Sequence, residues 1–152
     1  MKLKANYLSL TGYRLPTEAE MEYATRAGAL TSRFYGETEE LLRKYAWYTK
    51  NSQGKTWPVG SLEPNDLGLF DTQGNVYTWC QERYRSCPRG QGEGRKEERE
   101  DTYSINNQDS RVLRGGSFSY PTWLVRSAYR NRDVPTYRGN FVGFRPARTI
   151  LE

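Results

Sequence analysis

The sequence contains no histidine, only two cysteines and no long apolar run, and each absence removes a class of function. Without histidine there is no Ser-His or Cys-His nucleophile pair, the commonest general base is gone, and so are the imidazole ligands of non-haem iron. Cys80 and Cys87 are too few for a disulfide framework and have no second pair or histidine to complete a structural zinc site. They read as ordinary thiols. No stretch approaches the roughly eighteen apolar residues of a membrane span, and MKLKANYLSL lacks the apolar region and small-residue cleavage site of a secretory signal. The expectation is a chain with no membrane insertion and nothing in it that directs export. Apolar residues are also scarce, at 36%. Aromatics at 14% carry large buried area per residue, so the core should rest on Tyr, Trp and Phe more than on aliphatics.

What is present fits one domain. A chain of 152 residues is long enough for a single core and too short for two comfortable ones. The net charge of +5 is unevenly spread: Arg111 to Thr149 holds eight arginines, one aspartate, and no lysine or glutamate. The remainder has fifteen basic and seventeen acidic residues. The basic character therefore sits in the C-terminal quarter.

PTEAEMEYATRAG has Glu20 three positions after Thr17, the capping-box spacing, and predicts a helix from Glu18 to Ala27 stopped by Gly28. A second helix is expected from Glu39 to about Ala46, with Leu41, Leu42 and Tyr45 on one face. In KNSQGKTWPVGSLEPNDLGLFD Gly and Pro recur too often for a regular element. Ordered coil is expected there, pinned by Trp57, Leu67, Leu69 and Phe70. NVYTWCQERY suits a strand with both faces partly covered. Residues 88–110, rich in Gly and charge, read as a solvated, mobile insertion. Strand signals return in RVLRGGSFS, LVRSAYR and FVGFRPAR, separated by loops around Pro121 and around Val134 to Gly139. The whole pattern is α+β: two helices, a small mostly antiparallel sheet and much ordered coil.

GYRLPTEAEMEYATRAG, PNDLGLFDTQGNVYTWC, RVLRGGSF, RSAYRNRDVP and VGFRPAR, in that order, resemble the formylglycine-generating enzyme (sulfatase-modifying factor) domain, a variant of the C-type lectin fold. The resemblance covers nearly the whole chain and implies that fold for residues 1–152, in a form shortened before the LPTEAE helix. It also implies chemistry that two departures remove. The oxidases of that family depend on two cysteines between the GGSF motif and the following R-x-A-x-R motif. Here that interval is Ser119, Tyr120, Pro121, Thr122, Trp123, Leu124 and Val125, with no thiolate to hold copper or act as nucleophile. Members of the family also bind calcium partly through a segment written G-N-V-W-E-W. Here it reads GNVYTW, with the neutral hydroxyl of Thr78 in place of the glutamate, which disfavours calcium. The expectation is a protein that is not an enzyme and has no resident cofactor.

Residues 111–149 are also similar to the variable region of proteins diversified by retroelements, some of which use this lectin-like domain. There, adenine-directed mutagenesis of asparagine codons randomises chosen surface positions over a fixed framework. That resemblance implies a framework of Arg114, Gly115, Gly116, Phe118, Trp123, Val125, Arg126, Ala128, Tyr129, Arg130, Pro135, Arg138, Gly143, Phe144 and Arg145. The glycines would permit close approach, the aromatics would fill the core, and buried arginines would hold loop carbonyls. The implied ligand-binding positions are Ser119, Tyr120, Pro121, Thr122, Leu124, Asp133, Val134, Tyr137, Gly139, Asn140 and Phe141. All eleven are residue types reachable from an asparagine codon by changing adenines. Tyr, Ser, Gly and Asn at loop positions are also what adaptable paratopes use.

Other readings carry less. Arginine interleaved with aromatics suits nucleic acid, but most of these arginines fall at framework positions, so nucleic acid is disfavoured as a partner and a protein ligand is expected. The GGSF turn lacks the lysine of a phosphate loop. Glu18, Glu20 and Glu22 read as the solvated start of a helix, stabilised by its dipole. An accessory or sensor role, as in domains fused to kinases, stays open. The specific geometric expectation is that Tyr120, Tyr137 and Phe141 stand exposed on one face beside buried Trp123 and Phe144.

Overall fold

A computed structural model of the chain describes residues 10–86 and 106–150, so most of the expected insertion at 88–110, with Cys87, lies outside the described residues. Helix α1, Glu18–Arg26, begins as its sequence dictates: the Glu20 amide donates to Thr17 Oγ1 at 3.1 Å, and the Thr17 amide to Glu20 Oε2 at 2.8 Å. Two otherwise orphaned donors are satisfied reciprocally. The helix ends one residue early, because Ala27 turns left-handed at φ 48° ahead of Gly28. Met21 and Thr25 point inward.

Helix α2 departs from expectation. Only Leu42–Tyr45 is helical, with no side-chain cap. Of the supposed common face only Leu42 is fully buried, while Leu41 is 38% exposed. One turn anchored by a single leucine gains little from propensity.

Strand β1, Gly12–Arg14, pairs with the terminal β6, Ala147–Thr149, in a separate two-stranded ribbon. The main sheet has the order β4-β3-β2-β5. In it β2, Tyr77–Arg83, lies antiparallel to β3, Arg111–Arg114, which in turn pairs antiparallel with β4, Arg130–Asp133. The short β5, Val142–Gly143, runs parallel to β2. LVRSAYR is not a strand. Its start is a single 3-10 turn, Thr122–Leu124, and β4 begins only at Arg130. Val125 is the reason: it is fully buried in one core cluster with Leu42, Ala46 and Tyr48, so the chain dips inward there. A second cluster joins Met21, Cys80 and Val112 beneath α1.

The coil from Trp47 to Val76 is ordered as expected but is pinned differently. Leu67 and Phe70 are 48% and 40% exposed. Three asparagine amides do the pinning, by imitating backbone partners. Asn65 accepts from the amides of Leu67 and Leu69 and donates to Ala24 O. Asn75 bonds the amide and carbonyl of Trp57, both at 3.0 Å. Asn51 links Tyr48 to Ala46 O. Trp57 contributes by stacking on Trp47, 4.6 Å between centroids.

Candidate functional site

The residues after β3 are held from below. Gly115 and Gly116 have φ of 94° and 79°, and a Cβ on Gly115 would stand 2.9 Å from Thr72 O. Only glycine tolerates both the angle and the approach. The Phe118 amide then donates to Asn75 O, the Thr49 amide to Tyr120 O, and Ser52 Oγ to Phe118 O. Arg33 Nη2 donates to Thr122 O at 2.9 Å, which fixes the 3-10 turn.

On this base stands an aromatic group. Fully buried Tyr77, from β2, meets Tyr120 edge-on at 5.1 Å between centroids. Tyr120 lies 5.9 Å from Phe141, and Phe141 5.5 Å from Tyr137. Burial pushes the Tyr77 phenol well above its usual range, and Tyr129 and Tyr120 nearby add to the shift. It stays neutral. The Tyr137 ring lies over Gly139, where a Cβ would stand 2.4 Å from Tyr137 Cε1.

The structure therefore brings together three of the expected residues from two separate loops. Tyr120, Tyr137 and Phe141 are half-buried, rather than fully exposed. Ser119 and Asn140 beside them in sequence are exposed, and Pro121 and Leu124 are half-buried.

Other placements correct the expectation. Thr122 is 3% exposed and serves the frame. Asp133 is the last residue of β4, opposite Arg111, and Val134 follows it. Both sit at the end of the β3–β4 ladder remote from the Gly115–Gly116 turn, where Arg114 faces Arg130. Trp123 and Phe144, expected inside, are 63% and 74% exposed. Trp123 projects from the 3-10 turn because its neighbours Thr122 and Val125 take the inward positions. It is the surface residue that sequence reasoning missed, since a tryptophan beside a GGSF motif reads as core. Arg126 and Arg138 are exposed too, whereas Arg111 and Arg114 are buried.

The acidic face of α1 is paired, and Glu18 and Glu22 are largely covered while Glu20 stays exposed. Arg114, 1% exposed, donates to Tyr129 O and pairs with Glu22, with Glu18 3.5 Å away. Arg130 Nη2 reaches Glu18 Oε2 at 2.8 Å, and Arg14 grips Glu20 with two bonds of 2.6 Å. The helix carboxylates are thus the counter-ions of the arginine frame.

Two chemical possibilities can be weighed on this geometry. Cys80 is 1% exposed, and burial pushes its thiol well up, the opposite of a reactive thiolate. At GNVYTW the Thr78 side chain is buried, and no three carboxylates or cysteines converge among the described residues. At this segment Thr78 offers a neutral hydroxyl where calcium favours a carboxylate.

An α+β domain of this layout, with a capped helix on a short twisted sheet and long ordered loops at its end, is a C-type lectin-like fold of the formylglycine-generating enzyme type. The chain belongs to the sulfatase-modifying factor enzyme 1-like domain family, whose model matches residues 3–150. It is 35% identical to the formylglycine-generating enzyme of Streptomyces coelicolor over 167 residues, 93% of this chain and 48% of that one. It is 34% identical to the serine/threonine-protein kinase pkn1 of Chlamydia caviae over 157 residues, covering 96% of this chain and 22% of the kinase. Among solved structures it resembles Treponema denticola variable protein 1, with a TM-score of 0.78 and 31% identity, over 97% of this chain and 53% of that one. The chain thus spans about half or less of the length of these relatives. No helix among the described residues is long and apolar enough to cross a membrane.

Proposed function

We propose that this domain is a non-catalytic binding module of the retroelement-diversified type, which recognises a protein ligand through the surface formed by Ser119, Tyr120, Pro121, Tyr137, Gly139, Asn140 and Phe141. Trp123 joins that surface as a constant contact. Leu124 is a minor, half-buried contributor, and Asp133 and Val134 lie at the edge of the surface, where the Val134 carbonyl accepts from the Tyr137 amide. Thr122 is assigned to the frame.

The observation that carries this reading is the group Tyr120–Phe141–Tyr137 resting on buried Tyr77. Large rings held in place and only half covered lose little entropy on binding, the property that makes tyrosine effective in paratopes. The likeness to variable protein 1 and the lack of any cysteine from Ser119 to Val125 support it. The test is a display library randomised at these seven positions and selected against one model protein, lysozyme. Folded members should yield specific binders at a higher rate than a library randomised at exposed positions elsewhere. Failure of both folding and enrichment would overturn the reading. At the genomic level, the expected sign is a near-copy of this coding stretch, with adenines at these codons, beside a reverse-transcriptase gene.

The family match favours a second reading, an enzyme or accessory of the sulfatase-modifying class. Turnover of a cysteine-bearing sulfatase peptide, with or without copper, would replace the first reading with this one. The kinase relative adds a sensor role as a variant of the binding reading, since a kinase-borne domain would use the same surface for a signal.

A further inference from the structure

The two loops of the aromatic surface carry charge of one sign. Residues 119–125 and 134–141 contain no aspartate or glutamate, and the cation within them is Arg138. The acidic residue nearest in sequence, Asp133, accepts from the Val134 amide with Oδ1 and stands opposite Arg111. Behind the first loop the Thr49 amide donates to Tyr120 O, and the next residue, Lys50, lies 3.7 Å from Glu39. That pair balances itself.

Arg138, expected in the frame, is exposed and has no ion pair among the described residues. It is nonetheless held in place. Its Nη1 donates to Pro135 O and to Tyr137 O, both at 2.9 Å. The turn beneath it is closed by the Tyr137 amide on Val134 O, also at 2.9 Å. These bonds use one nitrogen and leave Nε and Nη2 with no partner among the described residues. Nε and Nη2 are the side-on fork of a guanidinium, two parallel donors that match the two oxygens of a carboxylate.

A guanidinium tethered at one end loses less freedom on binding than a free one. The contact it offers is worth little in open solvent and more once a partner covers it. Nucleic acid fits less well, since phosphate binding gathers several cations and these loops hold one. We propose that Arg138 is a fixed carboxylate receptor within the surface of Tyr120, Tyr137 and Phe141, and that it selects protein ligands presenting an aspartate or glutamate beside an aromatic or apolar side chain. This rests on the binding reading above and adds the chemistry of the ligand.

The test is an NMR titration of the whole chain with 3-phenylpropionate, with 3-phenylpropanamide as the neutral match. The Arg138 Nε–H signal and the Tyr137 and Phe141 ring signals should shift saturably with the acid and not with the amide. Arg138→Gln, an exposed change that should fold, should weaken the acid at least tenfold. Arg126→Gln removes a second exposed arginine and should leave binding unchanged. An equal response to the amide, or an acid response retained in Arg138→Gln, would overturn the assignment. So would equal losses in the two variants, which would mark a diffuse positive field. A second arm separates this inference from the reading beneath it. The seven-position library is selected against lysozyme and against α-lactalbumin, an acidic protein of the same fold. Binders should be more frequent against α-lactalbumin and should weaken at least tenfold on Arg138→Gln. Binders indifferent to that change would overturn the carboxylate receptor and leave the binding reading standing. No binders to either protein, with the phenylpropionate response intact, would overturn the binding reading and leave the receptor.

Discussion

Two regions of this domain use polar and aromatic residues in opposite ways. Beneath α1, Arg114 is 1% exposed and its charge is spent on Glu18, Glu22 and the Tyr129 carbonyl. At the end of the sheet, three rings that could have filled a core stand half open: Tyr120, Tyr137 and Phe141. Charge, which composition marks as the conspicuous feature, builds the frame here. Aromatic area, which composition assigns to the core, is partly left for contact. The difference follows from geometry. A guanidinium has five donors and can tie several loops at once when its counter-ions are buried with it. A ring offers area at the expense of only two rotatable bonds.

The largest test of that contrast is to remove the frame's central charge. Arg114→Leu takes from Glu22 and Glu18 their shared buried partner but leaves them Arg26 and Arg130, so the cost should lie near the lower end of the about 3–5 kcal/mol of breaking a buried pair from one side. Much of a small domain's stability would go, so urea unfolding should show a large fall in midpoint or no folded baseline. Ser119→Ala, on the open surface, should stay within about 0.5 kcal/mol. If both changes were equally mild, the arginine would not be frame at all.

Acid sharpens the same comparison less severely. The hydrogen bonds from Arg14 hold the Glu20 carboxyl below its usual 4.5. At Glu22 burial pushes the other way, but the Arg26 hydrogen bond and the charges of Arg114 and Arg26 win, and the value is again lowered from 4.5. A carboxyl with a depressed folded pKa contributes stability that is present above its unfolded pKa and lost as pH falls through the folded one. Unfolding free energy should therefore hold steady from neutral pH down to about 5 on account of these groups and fall below about 4.5. Arg14→Gln should flatten that fall, as read from urea midpoints at a series of pH values. Substitutions at Tyr137 or Asn140 should leave the slope unchanged.

Legibility divided along the same line. The capping box of Thr17 and Glu20, the β2 strand and the Gly115–Gly116 turn were readable because each depends on neighbours in sequence. So was the C-type lectin-like fold, through motifs that span the chain. What was not readable depended on partners far away. Glu18 and Glu22 look solvated until β3 and β4 bring Arg114 and Arg130 against them, 92 and 112 residues on. Trp123 looks buried until Val125 takes the inward place. Thr122 looks available until Arg33, 89 residues before it, ties its carbonyl. The aromatic group was half legible: the loops were evident, but the packing of Tyr120 and Phe141 on Tyr77 needed the register of β5 beside β2.

The smallest effect tests whether the contact surface is a set of independent positions. A Cβ at residue 139 would stand 2.4 Å from Tyr137 Cε1 and 2.5 Å from its hydroxyl. The clash is with the far end of a side chain, so Gly139→Ala should cost about 1 kcal/mol or less as the ring swings away. In a Tyr137→Ser background there is no ring to displace, and the same change should be nearly neutral. The double-mutant cycle should thus give a coupling of about 0.5 kcal/mol or more between two residues of one loop, measured by urea unfolding. Coupling of that sign means that a bulky residue at 139 dictates which way 137 points, and through Phe141 where Tyr120 rests. A surface built this way varies in correlated sets, unlike Ser119 and Asn140, and its repertoire is smaller than the number of its positions implies. Zero coupling would show that the ring is already free to move, and the rigid-paratope argument for this surface would lose its physical basis.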